Sequence, residues 1–155
     1  MKKIISILLT LTVLLLTVVP CSAGADAAPV TMKIEGFKSR EVLSFSYGFN
    51  RPTGIEGELA GIPRSTSFTI RVPGLSDGTN DLFTWALAGG TMPKNLMLEF
   101  VDPVDESSIK TIRLTNAYCV SYTEYWDQDG TYYEEIEIVS KEFQNGPAEY
   151  ERPWD

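Results

Sequence analysis

The chain contains no histidine, so the commonest general base and the commonest metal ligand are both missing. Positive charge is in short supply: 13 Lys and Arg stand against 21 Asp and Glu, a formal net charge of -8. That balance excludes nucleic acid as a partner, because phosphate binding needs clustered basic side chains. Cysteine is scarce, with Cys21 and Cys119 alone. The sequence carries no Gly-rich phosphate loop, no Ser-His pair and no metal-ligand spacing. What it does have is a hydrophobic content of 43%, ordinary for a packed domain, in a length that suits one domain.

Residues 1–27 read as a secretory signal peptide. Lys2 and Lys3 supply the positive start, Ile4 to Val19 the apolar segment, and Pro20 ends it. Cys21-Ser22-Ala23 and Ala25-Asp26-Ala27 both end in a small residue suited to cleavage. A retained membrane anchor and a lipoprotein acylated at Cys21 are the competing readings, the second weakened by Pro20 just before the cysteine. Cleavage leaves Cys119 alone, so residues 28–155 are expected to form a single exported domain, periplasmic or extracellular, without an internal disulfide and without stable membrane insertion.

The remaining chain is dominated by two-residue alternation, which sends successive side chains to opposite faces of a sheet. The longest run is Ile109 to Trp126, rich in β-branched and aromatic residues. Strict alternation would put Ile112, Leu114, Tyr118, Val120 and Tyr122 inside, with Ala117 and Cys119 on the other face in a second packed layer. Asn116 interrupts the pattern as a bulge would. Further strands are expected at Thr31 to Phe37 (Met32 and Ile34 inward), Glu41 to Asn50 (Leu43, Phe45, Tyr47 and Phe49 inward) and Thr66 to Val72 (Phe68, Ile70 and Val72 inward). Lys94 to Val101 is apolar on both faces, as a central strand would be, and Thr131 to Phe143 places Ile136 and Ile138 inward. An extended piece from Ala148 to Trp154 pairs back onto the sheet. The one helix expected is Asn80 to Ala88, with Leu82, Phe83, Trp85 and Ala86 apolar and Gly89-Gly90 as its stop, plugging an open end or edge of the sheet. The fold class that follows is mainly β, a barrel or sandwich with one short helix.

Pro52, Gly54, Gly57, Gly61 and Pro63 make Arg51 to Ser65 a long loop. Loops of that length are uncommon in compact domains and are often functional. Its apolar Ile55, Leu59 and Ile62, with Arg51, Glu58 and Arg64 around them, form a candidate self-assembly loop. These residues fold onto their own domain or dock on a neighbouring copy. Outward Ser44, Ser46 and Gly48 allow close approach of another layer or subunit, or plain exposure to solvent.

Signals for chemistry are thin. Asp127, Asp129 and Gly130 are too few for a calcium loop and suit a hairpin turn. Glu134, Glu135 and Glu137, with Glu124 across the hairpin, could pair carboxylates for glycoside hydrolysis, but they read as a solvated strand face. Tyr118, Tyr122, Tyr125, Trp126, Tyr132 and Tyr133 cluster at one hairpin, as cross-strand packing or as a sugar or protein surface. No cofactor, metal or catalytic residue is assigned, and an enzyme is not expected.

M-K-I-E-G at Met32, V-L-S-F-S-Y-G at Val42, S-F-T-I at Ser67, L-F-T-W at Leu82 and K-T-I-R-L-T-N-A-Y at Lys110 follow one another along the chain. So do E-E-I-E-I-V-S-K-E-F and A-E-Y-E near the end. In that order they resemble the Hcp-type tube protein of type VI secretion systems, in the divergent form of Bacteroidetes-type systems. The resemblance implies a β-barrel with one helix, a hexameric ring, stacking of rings into a tube, and assembly and cargo passage in place of catalysis. It implies as partners further copies of the chain, and secretion-machine components or cargo. It also implies that the loop Arg51 to Ser65 reaches a neighbouring subunit or ring. A cleavable leader is not part of that family's pattern. The alternative function is a secreted binding module, for a surface glycan or protein, built on the same β fold.

Overall fold

The computed structural model describes residues 28–51, 53, 64, 65 and 67–152. In chain order the strands are β1 (Val30–Ile34), β2 (Arg40–Glu41), β3 (Ser44–Ser46), β4 (Phe49–Asn50), β5 (Arg64–Ser65) and β6 (Phe68–Pro73). The helix α1 (Asp81–Ala88) and a 3-10 turn (Gly89–Thr91) precede β7 (Lys94–Val101), β8 (Ser108–Trp126), β9 (Tyr132–Asn145) and β10 (Ala148–Glu151). Among the described residues no helix is long and apolar enough to cross a membrane.

One sheet runs in the order β2-β1-β7-β8-β9-β6-β3, with β10 added beside β9, and every pairing is antiparallel. Its two ends are the same piece of chain. Arg40 and Glu41 pair with β1, and the Val42 N–H reaches Val30 O at 2.8 Å. Leu43 N–H then turns to Arg71 O, also 2.8 Å, and Ser44–Ser46 pair with β6. The sheet thereby curls back on itself as a barrel, which joins the two end strands an extended sheet would leave open. This partner exchange is why Glu41 to Asn50 is three short strands and not the single strand expected. It also corrects two orientations: Leu43 is 54% exposed and Phe49 37% exposed, while Phe45 and Tyr47 pack against the core as read.

The core is filled from the inward positions of β1, β6, β7 and β9, namely Met32 and Ile34, Phe68, Ile70 and Val72, Leu96 and Leu98, Ile136 and Ile138, together with residues of β8. α1 begins one residue later than expected, at Asp81, and sends Leu82 and Trp85 into this core. Trp85 donates from Nε1 to Met92 O at 2.9 Å, so its one polar group is satisfied in the interior. Burial of a side chain of that size contributes about 3 kcal/mol. Gly89, at φ 55°, takes a left-handed turn that ends the helix, and its N–H bonds to Ala86 O.

The long β8–β9 ladder does not keep one alternation. Ile112 and Leu114 are buried as expected, but beyond Asn116 the buried residues are Ala117 and Cys119, and Val120 is 55% exposed. Asn116 sits at φ 51°, and β8 gains a residue against β7 between Leu114 and Ala117. This is the bulge the asparagine signalled, and it swaps the two faces. β9 changes phase beside it, from buried Phe143 to buried Ser140, so the hairpin stays in register through the break. A second irregularity between Cys119 and Ser121 returns Tyr122 to the inner face. Tyr118 and Cys119 are therefore exchanged relative to the simple pattern: the thiol is in the core, 2% exposed, and burial pushes it up to about 11.

The left-handed backbone at Asn116 is tolerated by Asn and Gly and opposed by β-branched residues. Asn116→Gly is expected to leave urea stability within about 0.5 kcal/mol, and Asn116→Val to lower it by about 1–3 kcal/mol. Equal effects of the two substitutions would contradict a bulge held by backbone conformation.

Candidate assembly surface

The loop singled out in the sequence springs from a two-stranded ribbon in which Phe49 opposes Ser65 and Asn50 opposes Arg64. Aromatic packing anchors its base. The Phe49 ring lies 5.2 Å from Phe143 and 5.1 Å from Tyr150, and Tyr47 lies 5.2 Å from Phe143 and 5.4 Å from Phe68. Asn145 Nδ2 donates to the Tyr47 hydroxyl at 2.9 Å. Of the candidate loop residues, Arg51 is exposed at the end of β4, and Arg64 stands in β5. Ile55, Glu58, Leu59 and Ile62 lie outside the described residues.

The outer wall near this ribbon is small and hydroxyl-rich. Rows run across four strands as Ser44, Arg71, Glu135, Thr123 and as Ser46, Thr69, Glu137, Ser121. Arg71 chelates one Glu135 oxygen from Nε and Nη2 at 3.0 and 2.7 Å, and its guanidinium stacks 4.3 Å above the Tyr133 ring. Ser44 and Ser46 are exposed, as the outward reading required. Apolar groups also face out. Phe83 and Leu87 are one turn apart on α1, and Leu87 is 72% exposed. Beside α1, the end of the helix, Tyr118, Val120 and Val139 line a shallow groove of about 520 Å³. The hairpin tip adds Tyr125, stacked 4.9 Å from Tyr133, and Trp126 at 68% exposure. Cross-strand packing and an exposed aromatic surface thus coexist on the one hairpin.

The carboxylates of the hairpin are each engaged within the fold. Glu134 is 3% exposed and forms an ion pair with Arg40, itself 6% exposed, which corrects the solvated-face reading at that position. Its other oxygen accepts from the Tyr122 hydroxyl at 2.9 Å. Burial, and then this bond to Glu134, raise the Tyr122 hydroxyl far above its ordinary range. Glu124, directly opposite Glu134, accepts from Tyr132 at 2.7 Å, and that bond first, then burial, pushes Tyr132 up to about 12. Glu135 points to the outer wall, engaged with Arg71. At the turn, Asp127 Oδ1 accepts from the backbone N–H of Asp129 and Thr131 at 3.0 and 2.9 Å, so the carboxylate serves the hairpin. Among the described residues there is no group of three or more metal-ligating side chains.

The barrel, the helix α1 packed into it and the β4–β5 ribbon are accompanied by a family match along nearly the whole chain: the profile of Hemolysin coregulated protein Hcp (TssD) covers residues 14–155. The chain belongs to the Hcp family. Solved structures agree on the fold. Hcp1 from Flavobacterium johnsoniae is similar at 24% identity and a TM-score of 0.72, over 80% of this chain and 99% of that one. A variant of Hcp1 from E. coli EAEC 042 gives 16% identity and a TM-score of 0.66, over 83% and 99%. The secreted protein Hcp3 from Pseudomonas aeruginosa gives 14% and 0.56, over 83% and 99%. No curated protein matches by sequence. Hcp proteins are structural components of secretion machines, and this chain is a type VI tube and ring component, as the motif order implied.

The buried Arg40 and Glu134 escaped the sequence reading, although a signal for one was present. Glu134 has the parity of Ile136 and Ile138, so the alternation that sent those inward sends it inward too. For Arg40 there was no such signal, since Lys38 to Arg40 reads as a polar turn. Removing one partner of a buried pair strands the other charge. Arg40→Met or Glu134→Leu alone is expected to cost about 3–5 kcal/mol, and the double variant clearly less, by chemical denaturation. Alkali should act on the same cluster. Tyr122 is raised in the fold, so its contribution is whole below the unfolded tyrosine value of about 10 and is lost as pH rises above that. Additive single losses, or a Tyr122→Phe variant that loses stability between pH 9 and 12 as steeply as the wild type, would contradict this account.

Proposed function

We propose that the chain is exported through cleavage of residues 1–27 and that residues 28–155 close into a hexameric Hcp ring outside the cytoplasm, in the periplasm or beyond the cell. The observation that carries this reading is the family match over residues 14–155 on a curled β-barrel with α1 packed into its core. The described surface offers exposed apolar groups to another protein, including Leu87, Val120 and Trp126. A ring is a closed heterologous assembly, in which one patch meets a different patch on the next copy. The loop bearing Arg51, Ile55, Glu58, Leu59, Ile62 and Arg64 supplies one of these patches: its base is pinned by Phe49 and Tyr47, so docking its apolar residues costs less ordering entropy than a free tail would. Cargo and the other secretion-machine parts are the partners of the assembled ring.

The test is the mass of the purified protein by light scattering. A homogeneous hexamer is expected, and Leu59→Asp with Ile62→Asp is expected to reduce it to smaller species while the circular dichroism spectrum is retained. A wild-type protein that remains single at every concentration would remove the ring reading. N-terminal sequencing of protein recovered from the periplasm and the medium tests the leader, with cleavage after Ala23 or Ala27 the expected result.

A further inference from the structure

The backbone pattern of the long hairpin leaves one stretch of β8 with open hydrogen-bonding groups. Opposed residues in an antiparallel ladder alternate between pairs that exchange both bonds and pairs that exchange none. Gly74 N–H bonds to Tyr132 O at 3.1 Å, and the β6–β9 register places Val72 opposite Glu134 and Ile70 opposite Ile136. Tyr132, Glu134 and Ile136 therefore turn their N–H and C=O groups toward β6. Tyr133, Glu135 and Glu137 turn theirs toward β8, where they meet Tyr125, Thr123 and Ser121. The 3.0 Å bond from Asp127 N–H to Thr131 O continues the same alternation. Tyr122, Glu124 and Trp126 must then direct their backbone groups away from β9.

On that side β7 pairs with β8 only from Ser108 to Ala117. The helix α1 takes over at Tyr122, whose ring lies 5.4 Å from Phe83. Past it, no backbone partner is present for Glu124 or Trp126 among the described residues. An open edge of this kind is normally blocked by Pro, Lys or a covering element. Here it carries neither Pro nor Lys, and it ends in Trp126, 68% exposed, beside exposed Tyr125. Exposed aromatics next to unpaired strand groups make an interaction surface of the strand-addition type.

We infer that this edge receives the β4–β5 ribbon of the next copy in the ring. The inference rests on the ring reading and names the two unlike patches that reading requires. Charge selects the occupant. Two β8 edges meeting each other would set Glu124 against Glu124, with Asp127 and Asp129 close by, and like charges on facing strands destabilise. β10 would bring Glu149 and Glu151 to the same acidic edge, against the one Arg152 just past its end. The ribbon brings positive charge only, with exposed Arg51 just past β4 and Arg64 in β5. Its strands are two residues long, and the open stretch turns two residues outward, Glu124 and Trp126. Added there, the ribbon extends the sheet of one barrel into the next.

Assembly of the full chain, followed by light scattering across a concentration series, tests this. Glu124→Pro removes an N–H that points away from β9, so the hairpin is retained while the edge is blocked. It is expected to raise the concentration needed for assembly by about tenfold, the effect of losing one or two intermolecular hydrogen bonds. Glu124→Thr, which keeps the N–H, should shift it by less. Arg51→Glu and Glu124→Arg should each weaken assembly about fivefold and together restore it to within about twofold of wild type. A folded Glu124→Pro variant that assembles like wild type overturns the edge as the contact and leaves the ring standing. Additive charge reversals overturn the ribbon as the occupant, and this cycle decides even if the proline variant does not fold. A wild-type chain that never assembles overturns the ring itself.

Discussion

The barrel closes through residues 40–46, and the rest of the molecule depends on that closure. A curled sheet has two ends, and here one short segment bonds to β1 with its first half and to β6 with its second. Neither half is long enough to hold by its ladder alone, since two- and three-residue strands contribute few bonds. The seam is reinforced from inside. Arg40, at the start of the segment, reaches the buried Glu134 on β9, and Tyr122 of β8 completes the carboxylate's bonding. A buried ion pair is a weak source of stability but a strong penalty on arrangements that separate it. It therefore acts here as a lock on one closure, while Phe45 and Tyr47 supply the apolar contact, with Phe45 5.4 Å from Phe100.

The long hairpin transmits that geometry across the molecule. Two irregularities divide β8 into three phases, and each phase serves a different neighbour. Before Asn116 the strand is shared by β7 and β9 in a continuous wall. Between Asn116 and Val120 the wall turns small residues inward, Ala117 and Cys119, against Ser140 and Ile138, close to where α1 packs. After Ser121 the strand leaves β7 behind and runs on with β9 alone to an aromatic tip. A uniform strand would have kept one face inward for its whole length and could not have satisfied all three neighbours. The bulges are what allow a single strand to be core wall at one end and exposed aromatic edge at the other.

For a tube protein the exterior carries the function, and this exterior is divided by chemistry. On the hydroxyl-rich wall of Ser44, Ser46, Thr69, Ser121 and Thr123 the charged members are already engaged, Arg71 with Glu135 and Glu137 with the Ser67 hydroxyl. Exposed apolar side chains include Phe83 and Leu87 on α1 and Tyr125 and Trp126 at the hairpin tip, with Leu43, Val104 and Ile109 elsewhere, and Arg51 is exposed beside the ribbon. In a closed ring unlike patches of this kind meet across each interface.

Much of the architecture was legible in the sequence. Strand positions followed from period-two apolar runs, the helix from Leu82, Trp85 and the Gly89-Gly90 stop, and family membership from motifs in order. These succeed because local side-chain periodicity and turn chemistry are written residue by residue. Asn116 likewise announced its bulge, being one of the few residues that accept a left-handed backbone. The sequence could not announce what the bulge does to residues beyond it. Whether Cys119 or Tyr118 faces the core is set by the register against β7, a partner some twenty residues away in the chain. Nor could it show that Leu43 and Phe49 stay at the surface, since that follows from a strand that changes partners midway. Arg40 looked like a turn residue because its counter-ion, Glu134, is brought to it only when the sheet curls. Sequence alone determined which segments are strands and which residue types are available to fill them. Tertiary structure decided which face each segment shows, because facing depends on long-range pairing that no local pattern encodes.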